Sequence, residues 1–146
     1  MSEQVPAGFR PLNRGGPYLA SLGPWYYRRD EQGRLVLAIR VEERHTNNRH
    51  IAHGGLLLTL CDTALGIVLS GASDPPQPMV TVNLGADFVA SARPGDWLEA
   101  HTQVTRIGRR LAYGTCRLVV GQNCVMTASG IFAIMKAVVP KEQSEG

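Results

Sequence analysis

Cysteine is scarce in this 146-residue sequence, and the three that occur, Cys61, Cys116 and Cys124, form neither a CxxC motif nor an even-numbered set. A small secreted domain stapled by disulfides carries an even number of cysteines at regular spacings. Here each cysteine falls within an apolar or alternating segment. The sequence therefore predicts reduced core thiols in a cytoplasmic protein rather than a disulfide framework.

The sequence also lacks a large excess of charge of one sign. Its formal net charge is +3, and no basic run is interleaved with aromatic residues as in nucleic-acid-binding segments. The longest apolar run is too short to span a bilayer and contains Asp62, and the first residues do not have the pattern of a signal peptide. We expect neither nucleic acid nor a membrane as a partner, whereas the mild positive charge permits an anionic ligand.

One long apolar segment follows Gly54 and Gly55 and ends at Ser70. Apolar residues cover nearly every direction around its axis, which predicts a central helix buried on almost all sides. The exception is a stripe of residues spaced three or four apart: Gly55, Thr59, Asp62, Gly66 and Ser70. Burying the Asp62 carboxylate without a partner would cost several kcal/mol, so a function for this residue is expected.

The start of this helix predicts a second functional feature. No Ser, Thr, Asp or Asn precedes the first turn as a cap; Gly54 and Gly55 stand there instead. We therefore expect backbone N–H groups that no side chain covers, at the positive end of the helix dipole, where an oxyanion binds. With Asp62 two turns further on, the pattern indicates a site for attack on a carbonyl group.

The order of segments predicts an α+β fold. Residues 1–22 contain scattered proline and glycine and are expected to form an irregular leader, with a short helical turn near Tyr18–Leu22. Two strands precede the helix and four alternating strands follow it, at 25–29, 35–41, 80–88, 97–106, 111–120 and 124–136. In the first strand after the helix, alternation assigns one face to Val80, Val82, Leu84, Ala86 and Phe88 and the other to Thr81, Asn83, Gly85 and Asp87. Residues 139–146 are expected to form a flexible, charged C-terminal tail.

Several of these residues carry a resemblance to a known family. His53-Gly54-Gly55, Asp62-Thr63-Ala64 in an apolar helix, and Asn47 six residues before the histidine resemble the hotdog-fold acyl-CoA thioesterases of the phenylacetic acid degradation type. The resemblance implies a hotdog domain over residues 23–138, in which an antiparallel sheet wraps one long central helix. It also implies a homodimer or a tetramer made of two dimers, with active sites between subunits. No cofactor is expected, because coenzyme A is part of the substrate.

The resemblance also assigns roles to individual residues. Asp62 of one subunit would act as general base or nucleophile on a thioester whose carbonyl oxygen accepts a hydrogen bond from Gly54 N–H of the other subunit. His53 and Asn47 would orient the loop and the carbonyl, and Thr81 would steer the attacking water, with Thr63 as the nearby alternative. Gly55 and Thr63 would contact the substrate, while Arg109 and Arg110 are candidates for binding the phosphates of coenzyme A. The sequence departs from the family at Arg49 and His50, where a glycine is usual, which puts the substrate range in doubt.

Other interpretations of the same residues stay open. Asp62 could reach solvent as an ordinary helix carboxylate, the two glycines could serve only a tight turn, and the arginines could be solvated turn residues. A metal site at His45, His50 and His53 fits no zinc spacing, and a nucleophilic Cys61–His53 pair is disfavoured because Cys61 faces apolar neighbours. A non-catalytic acyl-CoA sensor, a hydratase or dehydratase of the same fold, and a structural protein are the rival functions.

Overall fold

A computed structural model describes residues 4–136 of the chain. The strands are β1 (Arg10–Leu12), β2 (Trp25–Arg29), β3 (Leu35–Arg40), β4 (Met79–Phe88), β5 (Trp97–Ile107), β6 (Leu111–Val120) and β7 (Asn123–Ile134). The helices are α1 (Gly16–Leu22) and α2 (Gly54–Ser70), and a 3-10 turn covers Glu43–His45. The strands and the central helix predicted from the sequence are thereby confirmed, with shifts of one or two residues at their ends.

The seven strands form one antiparallel sheet in the order β1-β2-β3-β5-β6-β7-β4. The helix α2 packs against one face of this sheet, where it contacts β3, β4, β5, β6 and β7. Fully buried leucines of α2, among them Leu60, Leu65 and Leu69, form the core together with inward-facing residues of the strands. The predicted α+β fold, one long helix packed against an antiparallel sheet, is confirmed.

The close approach of α2 to the sheet depends on a pair of glycines. Gly114 of β6 lies directly opposite Gly130 of β7, beneath Leu65 of the helix. A Cβ atom on Gly114 would stand 3.0 Å from both the Leu65 Cδ2 atom and the Gln103 carbonyl oxygen. The absence of side chains at these two positions therefore sets how deeply the helix sits in the sheet.

The N-terminal leader is more regular than the sequence predicts. The expected helical turn is present as α1, but residues 10–12 also form a strand that pairs with β2. Leu19 of α1 is buried, and its carbonyl oxygen accepts a hydrogen bond from Trp25 Nε1 at 2.6 Å. Residues 4–22 thus pack on the domain, while the boundary placed at residue 23 stays a prediction. The tail expected at 139–146 lies outside the described residues.

A bulge in β4 corrects the predicted assignment of its two faces. Thr81 pairs with Phe132 and Asn83 pairs with Ile131, so Val82 is left without a partner of its own. The extra residue reverses the alternation. Thr81 therefore faces α2 together with Leu84, whereas Val80 and Val82 are 51% and 56% exposed.

No helix within residues 4–136 is long and apolar enough to cross a membrane.

The glycine pair gives a stability prediction. Gly114→Ala should lower the free energy of unfolding by about 1–3 kcal/mol, because the new methyl group overpacks the contact with Leu65 and a backbone carbonyl. Urea unfolding at fixed protein concentration measures this. Gly85→Ala is the matched control, since a Cβ atom there meets nothing within 4 Å. Equal stabilities of the two variants would contradict the packing role of Gly114.

Candidate active site

The loop that leads into α2 is organised by Asn47. Its side-chain Oδ1 accepts a hydrogen bond from Arg49 N at 2.9 Å, and its carbonyl oxygen accepts one from His50 N at 2.9 Å. A bridge between Thr46 and Ala52 closes the loop. Asn47 therefore shapes the loop through its own side chain, as Asn does in Asx turns.

His50 occupies the left-handed region of backbone conformation, with φ of +64°. Glycine adopts this conformation most easily, which is a physical reason for the glycine that is usual at this loop in the family that the sequence resembles. The His50 ring points outward, with Nδ1 3.3 Å from the Glu43 carboxylate and 61% of the side chain exposed. Within one chain, the departure from glycine thus costs backbone strain and does not place a side chain against Asp62.

His53 corrects the expectation of an uncapped helix. It is the N-cap residue of α2, and its Nδ1 atom accepts a hydrogen bond from Gly55 N at 2.8 Å. The Gly55 N–H is therefore already engaged and is not free for a ligand. The sequence does not predict this capping role, because histidine is uncommon at the N-cap position, where Ser, Thr, Asp and Asn are preferred.

Gly54 N–H differs from its neighbour. Within residues 4–136 no acceptor takes this N–H group, so it stays open at the start of the helix. The Phe88 ring lies beside it: a Cβ atom on Gly54 would stand 3.3 Å from Phe88 Cε1. A side chain at position 54 would therefore crowd the Phe88 ring, which is a packing reason for glycine here.

Asp62 and Thr81 form the central polar contact of the site. The Thr81 hydroxyl donates a hydrogen bond to Asp62 Oδ1 at 2.6 Å, which joins α2 to β4. Asp62 is half-buried, on the predicted stripe of α2 that the chain's own sheet leaves uncovered. The bulge at Val82 brings Thr81 to this face, and Thr81 rather than Thr63 is the hydrogen-bond partner of the carboxylate.

Arg109 and Arg110 lie far from these residues within one chain. They line a cavity of about 540 Å³ together with Gln77, whose N–H bonds to the carbonyl oxygen of Ser70 at the end of α2. Gly54 is at the opposite end of this 17-residue helix, about 25 Å away. One chain does not bring the two arginines together with Asn47, His53 and Gly54.

The histidines near the loop have partners other than a metal. His45 is buried, and its Nδ1 accepts a hydrogen bond from Glu42 N while its Nε2 donates one to the Leu22 carbonyl oxygen. His50 contacts Glu43, and His53 caps the helix. Residues 4–136 contain no group of three or more His, Cys, Asp or Glu side chains that could hold a metal ion.

The geometry does not support a nucleophilic pair of Cys61 and His53. Cys61 is completely buried on the core-facing side of α2, whereas His53 is exposed at the start of the helix. Hydrogen bonding to Cys61, together with burial, raises the pKa of the Cys116 thiol far above its usual range. The Cys116 thiol therefore stays protonated and is a poor nucleophile, and Cys61 lies buried away from the exposed His53.

A helix that carries a carboxylate on its open stripe, set in the curve of an antiparallel sheet, defines a hotdog-type domain. The chain matches the family model described as the thioesterase superfamily over residues 50–126. It is 51% identical over 128 residues to a Pseudomonas aeruginosa protein named "Putative esterase PA0474", covering 88% of this chain and 96% of that protein. It is 30% identical over 98 residues to human acyl-coenzyme A thioesterase 13, covering 67% of this chain and 69% of that protein. The chain therefore belongs to the thioesterase superfamily.

Solved structures share the fold. The BH2602 protein of Bacillus halodurans, solved with CoA, has a TM-score of 0.77 at 24% identity, covering 86% of this chain and 83% of that one. The PaaI protein of E. coli, from the phenylacetic acid degradation operon, has a TM-score of 0.66 at 23% identity, covering 73% and 75%. The predicted hotdog thioesterase family is confirmed, whereas the roles of individual residues stay predictions.

The His53 cap gives a second stability prediction. His53→Ala should lower the free energy of unfolding by about 0.5–2 kcal/mol, because it removes the acceptor for Gly55 N–H. His53→Asn, which keeps a capping acceptor, should recover most of this loss. Urea unfolding measures the stability, and amide hydrogen exchange at Gly55 should accelerate in the alanine variant. Unchanged exchange at Gly55 would show that the cap does not form in solution.

Proposed function

We propose that this member of the thioesterase superfamily hydrolyses an acyl-CoA to the free acid and coenzyme A. The observation that carries the proposal is the Asp62 carboxylate, fixed by Thr81 at 2.6 Å on the open stripe of an otherwise buried helix. The name of the human relative and the CoA in the B. halodurans structure support coenzyme A thioesters as the substrate class. Coenzyme A is consumed as part of the substrate, so the proposal includes no cofactor.

Gly54 N–H is the proposed oxyanion donor. It is the backbone N–H at the start of α2 that no acceptor within residues 4–136 engages, and the helix dipole favours negative charge there. A preorganised donor of this kind is worth about 3 kcal/mol of barrier. His53 and Asn47 support it indirectly, since one caps the helix through Gly55 and the other shapes the loop.

Asp62 is the proposed base or nucleophile. Because Thr81 donates its hydrogen to the carboxylate, one carboxylate oxygen is held in place, and the Thr81 oxygen is left to accept a hydrogen bond from water. The leaving thiol has a pKa of about 8.5, so the carbon–sulfur bond breaks without a dedicated general acid. Labelled oxygen from water that enters Asp62 in a single turnover would mark the nucleophilic route.

Two chains are needed to complete this site. Gly54 and Asp62 are eight residues apart on one helix, which separates them by about 12 Å along its axis. A single thioester carbonyl cannot lie within about 3 Å of both the oxyanion donor and the carboxylate of one chain. We therefore propose that Gly54 of one subunit and Asp62 of its partner act on the same carbonyl.

The strand β4 is the proposed dimer contact. It is a ten-residue strand at the edge of the sheet, and its Val80 and Val82 side chains are more than half exposed. A long apolar edge strand of this kind pairs readily with another strand. A second copy of the chain joined here would extend the sheet and bring a partner helix alongside α2. A tetramer of two such dimers is equally compatible with the proposal. In such a tetramer, Arg109 and Arg110 at the far end of α2 could reach coenzyme A bound at another subunit.

The hydratase alternative is less well supported. That chemistry relies on a catalytic histidine–acid pair, but the His53 Nδ1 atom is engaged by Gly55 N–H and Asp62 is bound by Thr81. A non-catalytic sensor would have no use for the half-buried Asp62 carboxylate. Release of free thiol from acyl-CoAs distinguishes a hydrolase from such a sensor.

Asp62→Asn should reduce kcat by at least 10²-fold, about the contribution of a positioned base, because the amide still accepts the Thr81 hydrogen bond but cannot take a proton. Release of free thiol from short, long and aryl acyl-CoAs measures this. Asp87→Asn, which alters a carboxylate on the other face of β4, is the control and should retain activity. Unchanged activity in Asp62→Asn would remove Asp62 from the mechanism. Tight binding of the panel without any hydrolysis would indicate a sensor.

Val82→Lys should shift the protein toward monomer in sedimentation velocity, because it places a charge on the proposed pairing edge. Thioesterase activity should fall in parallel, since a monomer cannot combine Gly54 and Asp62 at one carbonyl. Val5→Lys, at another partly exposed valine, is the control and should leave the oligomeric state unchanged. A fully active monomer would refute the two-chain site.

A further inference from the structure

The helix α1 places a phenol over the open stripe of α2. Tyr18 is 64% exposed, yet its hydroxyl lies 2.9 Å from Thr59 Oγ1, a contact between residues 41 positions apart in the chain. Thr59 stands one turn after Gly55 and three residues before Asp62 on the stripe. The leader therefore reaches the residues that form the proposed active site.

The direction of this hydrogen bond follows from a second one. Thr59 Oγ1 donates its single hydrogen to the Gly55 carbonyl oxygen at 2.9 Å. The Tyr18 hydroxyl is therefore the donor to Thr59, and the chain of bonds runs from Tyr18 through Thr59 to Gly55. A phenol fixed at its tip in this way keeps its ring in one place, while most of the residue stays exposed.

The opposite border of the stripe is formed by β4. There Thr81 bonds to Asp62, and Phe88, which is 54% exposed, lies beside Gly54. At 100° per residue, Gly54 and Thr59 point about 140° apart around the axis of α2. Phe88 and Tyr18 thus lie at two borders of the open stripe of α2, with Gly55 and Asp62 between them.

We propose that Tyr18 determines acyl specificity, because it lies at the border of the open stripe and limits the width of an acyl group bound there. The inference rests on the proposed function, because it assumes a thioester bound over Asp62 with its carbonyl oxygen held by the other subunit. An exposed aromatic ring held by a hydrogen bond offers apolar contact to a short or flat acyl group and collides with a branched or bulky one. The amino-terminal leader would therefore select among substrates without taking part in bond cleavage.

Tyr18→Ala should raise kcat/KM for a branched or bulky acyl-CoA relative to butanoyl-CoA by about tenfold or more, the range typical of a changed apolar pocket. Tyr18→Phe and Thr59→Val, which keep the ring but remove its anchoring bond, should give smaller changes in the same direction. Tyr113→Ala removes a phenol from the other face of the sheet and should leave the ratio unchanged.

Binding measurements separate this inference from the proposed function. Calorimetry with non-hydrolysable thioether analogues of the same acyl-CoAs gives a selectivity ratio that does not depend on turnover. If the wild type binds these analogues without hydrolysing thioesters, the proposed activity fails. A changed binding selectivity in Tyr18→Ala would in that case still support the role of Tyr18 in acyl specificity. If the ratio in Tyr18→Ala equals that of the wild type, the role of Tyr18 is overturned. Absence of any binding by the wild type would overturn both.

Discussion

The structure depends on packing one apolar helix into the curve of one sheet. Leu60, Leu65 and Leu69 are fully buried in this contact, and the paired glycines Gly114 and Gly130 let the helix approach the sheet closely. Because a single sheet covers only part of the circumference of a helix, one stripe of α2 stays open. The polar residue Asp62 is tolerated on that stripe because Thr81 donates to it there.

The same packing explains why the proposed catalytic groups are distributed over two chains. A rigid helix fixes the distance between its open N-terminus and a carboxylate two turns later, and no side-chain rotation of Asp62 closes a gap of about 12 Å. The open stripe and the unpaired edge of β4 lie next to each other, since Thr81 of β4 touches Asp62 of α2. In the proposed dimer, a contact that covers the edge strand would also cover the neighbouring stripe, so that assembly would complete the site.

The sequence predicts those features that follow from local periodicity. The all-round apolarity of residues 54–70 and the alternation of the later strands are direct consequences of burial, and they identify α2 and the sheet. The bulge at Val82 is different, because one extra residue in an alternating pattern looks the same whether or not the partner strand skips it. For the same reason the sequence indicates Thr81 as a candidate residue but predicts the wrong face of β4 for it. The sequence does not indicate the His53 cap, because histidine is rarely a helix N-cap.

The leader shows most clearly what periodicity cannot reveal. Its three-residue strand and seven-residue helix are too short to carry a pattern, and its contacts with the core through Leu19 and Trp25 depend on residues far from any motif. A chain segment that packs at the border of an open stripe necessarily shapes whatever binds there. Loops and short terminal elements vary more readily than a buried helix. A change at Tyr18 can therefore alter substrate preference while the Asp62–Thr81 contact and the packing of α2 on the sheet stay intact.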